Sequence, residues 1–536
     1  MRIRNRTQHG PISLGMVTRS CCRILSFDLI SFKFLSVSLC LCAGFFSLSS
    51  GWGQTLPPAP GATVHTITKP GFFNEPSIAI NPANPDQIVA AYQVNASVVY
   101  SHDGGAHWTP ASGTDPANYR MSGDVSVAFD ANGRAYLCYI AFDKLGTDDY
   151  WGHNASRNGI FVRRSTDGGA TWDPLAIPVV VHPPLPKIPF EDKPYIVADT
   201  QPHSPFRGNL YVGWTEFTLN ESVILFSHSI DGGTTWSTPI RISTHAGLPR
   251  DDNGSDEGFT AAVDSDGSVH VVWAEGQEIS FTSSYDGGRT FSPSHGIVSI
   301  APPYFQVHGV SRANGFPQIG WGTCPRIPPV AGFPQRITRL LFPPCSRRGV
   351  LYVTWSDFRN GDVDVFAIMS HNGGRRWSPP VRVNSDPLHN GADQFFQWLA
   401  VDSAAATPAA YVMFYDRRSD PQNQKATIVL ARSIDGGHTW LNYAWTDQPF
   451  AALGDFLGDY TGLAALNGRV YGAWTEEAEG SHTGASAGSV DSTPAGKTDP
   501  KRQEANAAAD QNEDSTIAPR PRHQTVVRIG SAHFTH

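Results

Sequence analysis

The residues with the richest chemistry sit where short apolar runs begin and end. Glu216 closes a Trp-Thr-Glu run, Glu275 a Trp-Ala-Glu run, Arg359 follows Trp355 and Asp357, and Arg417 and Arg418 follow Tyr415 and Asp416. A second series opens such runs: Asp124, Asp192 beside Lys193, and Asp459 beside Tyr460. Two carboxyls can divide the labour of cleaving a glycosidic bond, one protonating the leaving oxygen while a second group attacks or activates water. Arginine forks suit the carboxylate of an acidic sugar. The best-matched set has Tyr460 as nucleophile, Glu216 or Glu275 as its base, Asp124 or Asp192 as the acid, and Arg359, Arg417 and Arg418 as the grip. The same charges read equally well as ion pairs and turn caps that recur because a structural unit recurs.

That unit announces itself through an octet, Ser-x-Asp-Gly-Gly-x-x-aromatic, beginning at Ser101, Ser165, Ser229, Ser284, Ser370 and Ser433. Its acids are Asp103, Asp167, Asp231, Asp286 and Asp435, with Asn372 in the fifth copy. The spacings of 64, 64, 55, 86 and 63 residues mark a repeat architecture. Each octet reads as a hairpin turn: the acid folds onto nearby amides and Gly-Gly permits positive φ. Three strands, A, B and C, precede each octet, and a fourth, D, follows it. After the sixth octet, residues 460–466 and 469–474 supply strands A and B of a seventh unit with no octet. Residues 524–530 can then serve as its strand C and residues 63–68 as its strand D, closing a ring and removing exposed edges. The expectation is an all-β chain folded as a single β-propeller of four-stranded antiparallel blades, seven in number with six as the fallback, the N-terminal strand closing the last blade.

Composition agrees. With 51 Gly and 41 Pro among 536 residues and 40% hydrophobic content, many short strands and turns are expected. A formal charge of −8 without a basic stripe argues against nucleic acid as a partner. Residues 1–54 carry scattered Arg and Lys, an apolar run over 34–48 and then small residues, as in a secretory leader, and the run is too short to span a membrane. The propeller is assigned to residues 62–476, a disordered insertion to 477–522 and the C-terminal strand to 523–536. Cys324 and Cys345 bracket a Pro-rich insertion and would pair in an oxidising compartment, while Cys138 reads as a core residue. No spacing resembles a metal site, and no cofactor is expected.

The six copies over residues 101–440, which follow Ser-x-Asp-x-Gly-x-x-Trp except for Phe291 and Asn372, resemble the Asp-boxes, or BNR repeats, of the sialidase-like β-propellers. In sialidases the resemblance implies an arginine triad on the sugar carboxylate, a Tyr nucleophile activated by Glu, and an Asp acid/base, all on the face opposite the boxes. Asn74, in Phe-Asn-Glu-Pro, stands where the first arginine of that triad would be, and Arg326-Ile327-Pro328 lies elsewhere. The resemblance implies a glycan-acting protein, an exo-glycoside hydrolase for an acidic sugar such as sialic acid; the leader implies secretion, and a monomer is expected. The alternative, motivated by Asn74 and the extra blade, is a non-catalytic carbohydrate- or protein-binding scaffold.

Overall fold

The computed structural model describes residues 55–114, 118–146, 150–153, 155–185, 187–324, 349–405, 407–446, 448–453, 456–479 and 523–535. The expected leader, Cys345 and nearly all of the expected insertion lie outside these residues, although Cys324 is disulfide-bonded. The described residues form strands and turns only, in seven antiparallel sheets, and hold no helix long and apolar enough to cross a membrane. Blades one to six are built in chain order, A to D from the axis outward; blade six adds the two-residue strand Phe450–Ala451. Blade seven joins the chain ends: Gly462–Leu466 and Arg469–Glu477 pair with Thr525–His533, which pairs with Thr63–Thr66. Glu477, read as the first insertion residue, is the last residue of strand B.

Each sheet is covered on both faces, so the B strands are largely apolar and buried on both sides rather than alternating. All eight residues of Ala135–Phe142 and of Val350–Asp357 are buried. The core is accordingly divided among seven clusters, each lying between neighbouring blades; the last joins Ile78 and Ile88 of blade one to Tyr471 and Ile529 of blade seven. Hydroxyls tie the inner strands across the seams: Ser77 Oγ accepts from the Val127 amide at 3.1 Å, Ser126 Oγ from the Ile196 amide at 3.2 Å, and Thr260 Oγ1 from the Ile319 amide at 3.2 Å.

The octets are uniform. In every copy the serine Oγ accepts from the second glycine amide at 2.9 Å. It donates to the acid Oδ1 at 2.8 Å in the five Asp copies and at 3.0 Å to Asn372. Asn372 serves because only an accepting oxygen is required; it also receives the Arg376 amide at 2.9 Å. Both glycines of each copy have φ between 70° and 97°, which explains the invariant pair.

Candidate functional site

Strand A carries a second recurring device. In five blades its pairing to strand B shifts register near the axial end. The shift is made by a residue with positive φ: Glu75 (52°), Asp124 (47°), Lys193 (49°), Gly258 (79°) and Phe396 (51°). Four of these are not glycine, a conformation costing about 1 kcal/mol or more each and typical of functional sites. The bulges bring charged side chains together around the axis.

Six carboxyls, Glu75, Asp124, Asp192, Asp251, Glu257 and Asp459, interact there with two cations, Lys193 and Arg312. Arg312 grips Asp459 with both arms of its fork, Nε to Oδ1 at 2.8 Å and Nη2 to Oδ2 at 2.6 Å, and its remaining Nη1 pairs with Asp251. Tyr304 Oη donates to Asp251 Oδ1 at 2.9 Å. Six acids against two cations leave protons to be retained. Burial, and then the charges of Asp124 and Asp459, hold Glu75 well above the usual carboxyl range. Burial and then Asp251 do the same for Glu257. Asp192 is held well above the usual carboxyl range by burial first and then by the charges of Asp124, Glu257 and Asp251.

Beside this cluster a small pocket is lined by strand-A residues of several blades, among them Ser77, Ser126, Tyr195, Thr260, Trp398 and Tyr460. Trp398 packs between Tyr195 and Tyr460, its ring tilted 52° and 39° to theirs with centroids 6.1 and 5.9 Å away. Lys193 is the one cation among the lining residues. Its Nζ stands 4.3 Å from the Tyr460 ring centroid and 4.2 Å from that of Phe316, and has no hydrogen-bond partner.

Of the residues expected from sequence, Asp124, Asp192 and Tyr460 meet here. Tyr460 Oη donates to the Val125 carbonyl at 3.2 Å, and burial followed by the charges of Glu75, Asp124, Asp459 and Asp192 push its phenol well above its ordinary value. Glu216 instead lies at the seam of blades two and three with Glu191 and His182. Glu275 pairs with His245 Nδ1 at 3.0 Å and accepts from Ser280 Oγ at 2.6 Å.

The three arginines also lie apart. Arg359 binds Asp357 at 2.5 Å and the Ser299 carbonyl at 2.9 Å. Arg417, fully buried, donates to the carbonyls of His308, Asn423 and Ala452. Arg418 binds Asp416 at 2.6 Å and Ser385 Oγ at 2.9 Å. Glu257, Asp251, Tyr304 and Arg312 were missed by sequence reasoning. Glu257 precedes the point where strand A was started, and Tyr304 and Arg312 belong to a connection between blades four and five that no repeat frame covers.

No family model and no curated relative matches the chain. Among solved structures it is similar to a protein of unknown function from Dyadobacter fermentans, at 14% identity and TM-score 0.40 over 72% of this chain and 98% of that one. It is also similar to the NanB sialidase of Streptococcus pneumoniae, at 11% identity and TM-score 0.43 over 68% of each chain. A third similarity is to an ulvan lyase bound to a GlcA–Rha3S unit, at 10% identity and TM-score 0.43 over 77% of this chain and 93% of that one. None of these likenesses carries an activity over to this chain.

Proposed function

We propose that the axial pocket binds a glycan and cleaves a glycosidic bond in it, and that the natural ligand contains an acidic sugar. The observation that carries the reading is the cluster of axial acids around Asp192, with Asp124, Asp251 and Glu257 as its charged neighbours, beside an aromatic pocket. Burial among other acids favours the protonated form of Asp192, which is what a general acid for a leaving oxygen needs. Tyr195, Trp398 and Tyr460 offer flat faces to the C–H side of a sugar ring. Lys193 is the natural receiver of a sugar carboxylate, because neighbouring Glu75 and Glu257 are held toward their neutral forms and so leave its charge only partly balanced.

In this reading Tyr460 is a platform rather than a nucleophile, since the negative charges around it oppose a phenolate. Residues 1–54 act as a secretory leader, and the mature chain works outside the cytoplasm as a monomer. A second reading, a non-catalytic glycan-binding propeller, is favoured by the engagement of Arg359, Arg417 and Arg418 with protein partners rather than with the pocket.

The test is turnover of sialyl, uronyl and neutral glycosides by the purified chain and by Asp192→Asn. The hydrolase reading expects turnover of an acidic glycoside and at least a 100-fold loss of kcat in the variant. Binding on a glycan array without turnover would replace it by the second reading. Neither binding nor turnover would sink both.

A further inference from the structure

At each seam the outer edge of one blade meets the ends of strands A and B of the next, and in the later blades an arginine joins them. At the seam of blades four and five, Arg359 links Asp357 to the carbonyl of Ser299, the last residue of strand His295–Ser299. At the next seam, Arg418 links Asp416 to the Ser385 hydroxyl. Each guanidinium balances the carboxylate at its corner.

The seam of blades two and three is built differently. His182 ends strand Ile177–His182 of blade two, and its Nε2 stands 2.5 Å from Glu191 Oε1 of blade three. Glu191 lies directly across the ladder from Glu216, and among the described residues no lysine or arginine pairs with either carboxyl. Like charges facing each other across strands are destabilising, so this corner needs more positive charge than one imidazole supplies, or else a retained proton.

The indoles show that Glu216 has been set free. In blades five and seven, the strand-B tryptophan donates to the acid two residues after it, Trp355 to Asp357 at 2.9 Å and Trp474 to Glu476 at 2.8 Å. In blade three, Trp214 donates instead to Glu191 Oε2 at 2.5 Å. Glu216, two residues on, is left with Glu191 as its neighbour rather than an N–H donor. The indole fixes Glu191 from behind, as the outer partners of metal ligands do.

We propose that His182, Glu191 and Glu216 form a binding site for a divalent first-row transition metal ion, zinc or manganese. Their ligand atoms lie within 4.8 Å of one another. Donors around zinc at about 2.0–2.1 Å stand roughly 3–3.5 Å apart, so small side-chain rotations complete the geometry. One imidazole nitrogen with two carboxylates suits zinc or manganese, whereas calcium takes six to eight oxygens. The His182 side chain is 18% exposed, which gives the ion an entry from solvent, and three protein donors leave room for water. Because the donors come from two blades, the ion would clamp the seam.

The test is calorimetric titration of the chelator-stripped full chain with zinc chloride and, separately, manganese chloride. The expected result is one equivalent bound per chain. Glu216→Gln and His182→Asn should each weaken binding at least tenfold while circular dichroism stays unchanged. A folded chain that binds neither ion overturns the proposal, as does equal binding by both variants. Should no ion bind while Glu216→Gln abolishes a pH dependence of stability, the corner holds a shared proton and the proposal fails. Glycoside turnover is not the readout, so the outcome is independent of the axial reading.

Discussion

The two faces of the ring repeat in different ways. On the octet face, six copies hold the same backbone with the same side chains, down to a constant 2.9 Å from glycine amide to serine oxygen. At the axis, five blades hold the same positive-φ bulge with different side chains: Glu75, Asp124, Lys193, Gly258 and Phe396. Repetition of residue type marks what the fold requires of every blade. Repetition of backbone with divergent residue type marks where individual blades have been released from that requirement, and it is there that chemistry accumulates.

The two faces should also titrate in opposite directions, and this is the largest effect expected. In four of the octet aspartates burial pushes upward, but the side-chain and backbone hydrogen bonds they accept together outweigh it and, as in Asp103, hold the carboxyl below the ordinary value of 3.8, so their stabilisation is present above that value and is lost as pH falls through the folded one. The axial acids Glu75, Asp192 and Glu257 lie well above their ordinary values, so the folded chain retains protons and loses stability as pH rises past about 4–5. Denaturant unfolding at pH 3, 5 and 8 should therefore find the greatest stability near pH 5. A stability that climbs steadily to pH 8 would erase the distinction between the faces.

Next in size, Lys193→Met should raise KM for an acidic glycoside, or Kd for an acidic glycan, at least tenfold, with Lys193→Arg recovering part of the loss. A neutral ligand measured alongside should change less than threefold; equal loss for both would remove Lys193 from recognition. The smallest effect belongs to the octets. Asp231→Ala removes the acceptor of the Thr235 amide and hydroxyl and should lower unfolding free energy by about 1–2 kcal/mol. Ligand affinity per folded molecule should not move. If it does, the two faces communicate.

The blade frame was legible because octets recur at nearly fixed spacing and because unused strands remained at both ends of the count, residues 63–68 and 524–530. The axial site was legible in part. Asp124, Asp192 and Tyr460 open strand A and so face the axis by position. Glu257 was not, because a bulge moves the register of strand A and alternation then no longer says which side chain points inward. Arg359 and Arg418 drew attention as a sugar grip because an arginine placed one or two residues after an aspartate looks the same in sequence whether it faces a ligand or folds back onto that aspartate. The setting of Arg417 was not legible, since its hydrogen bonds go to backbone carbonyls of three separate segments and its carboxylate partner, Asp393, lies on another strand end.

The pairing of Thr63–Thr66 with Thr525–His533 also sets a clock for synthesis. The hydroxyls of Thr63 and Ser531 meet across 468 residues of chain. At about 5–20 residues per second, the first strand waits roughly 25 to 95 s after emerging from the ribosome before its partner exists. Blades one to six can assemble in that interval as an open arc with unpaired edges at both ends. Until Thr525–His533 is made the folding chain is an open arc, and the pairing of that strand with Thr63–Thr66 is what closes the ring.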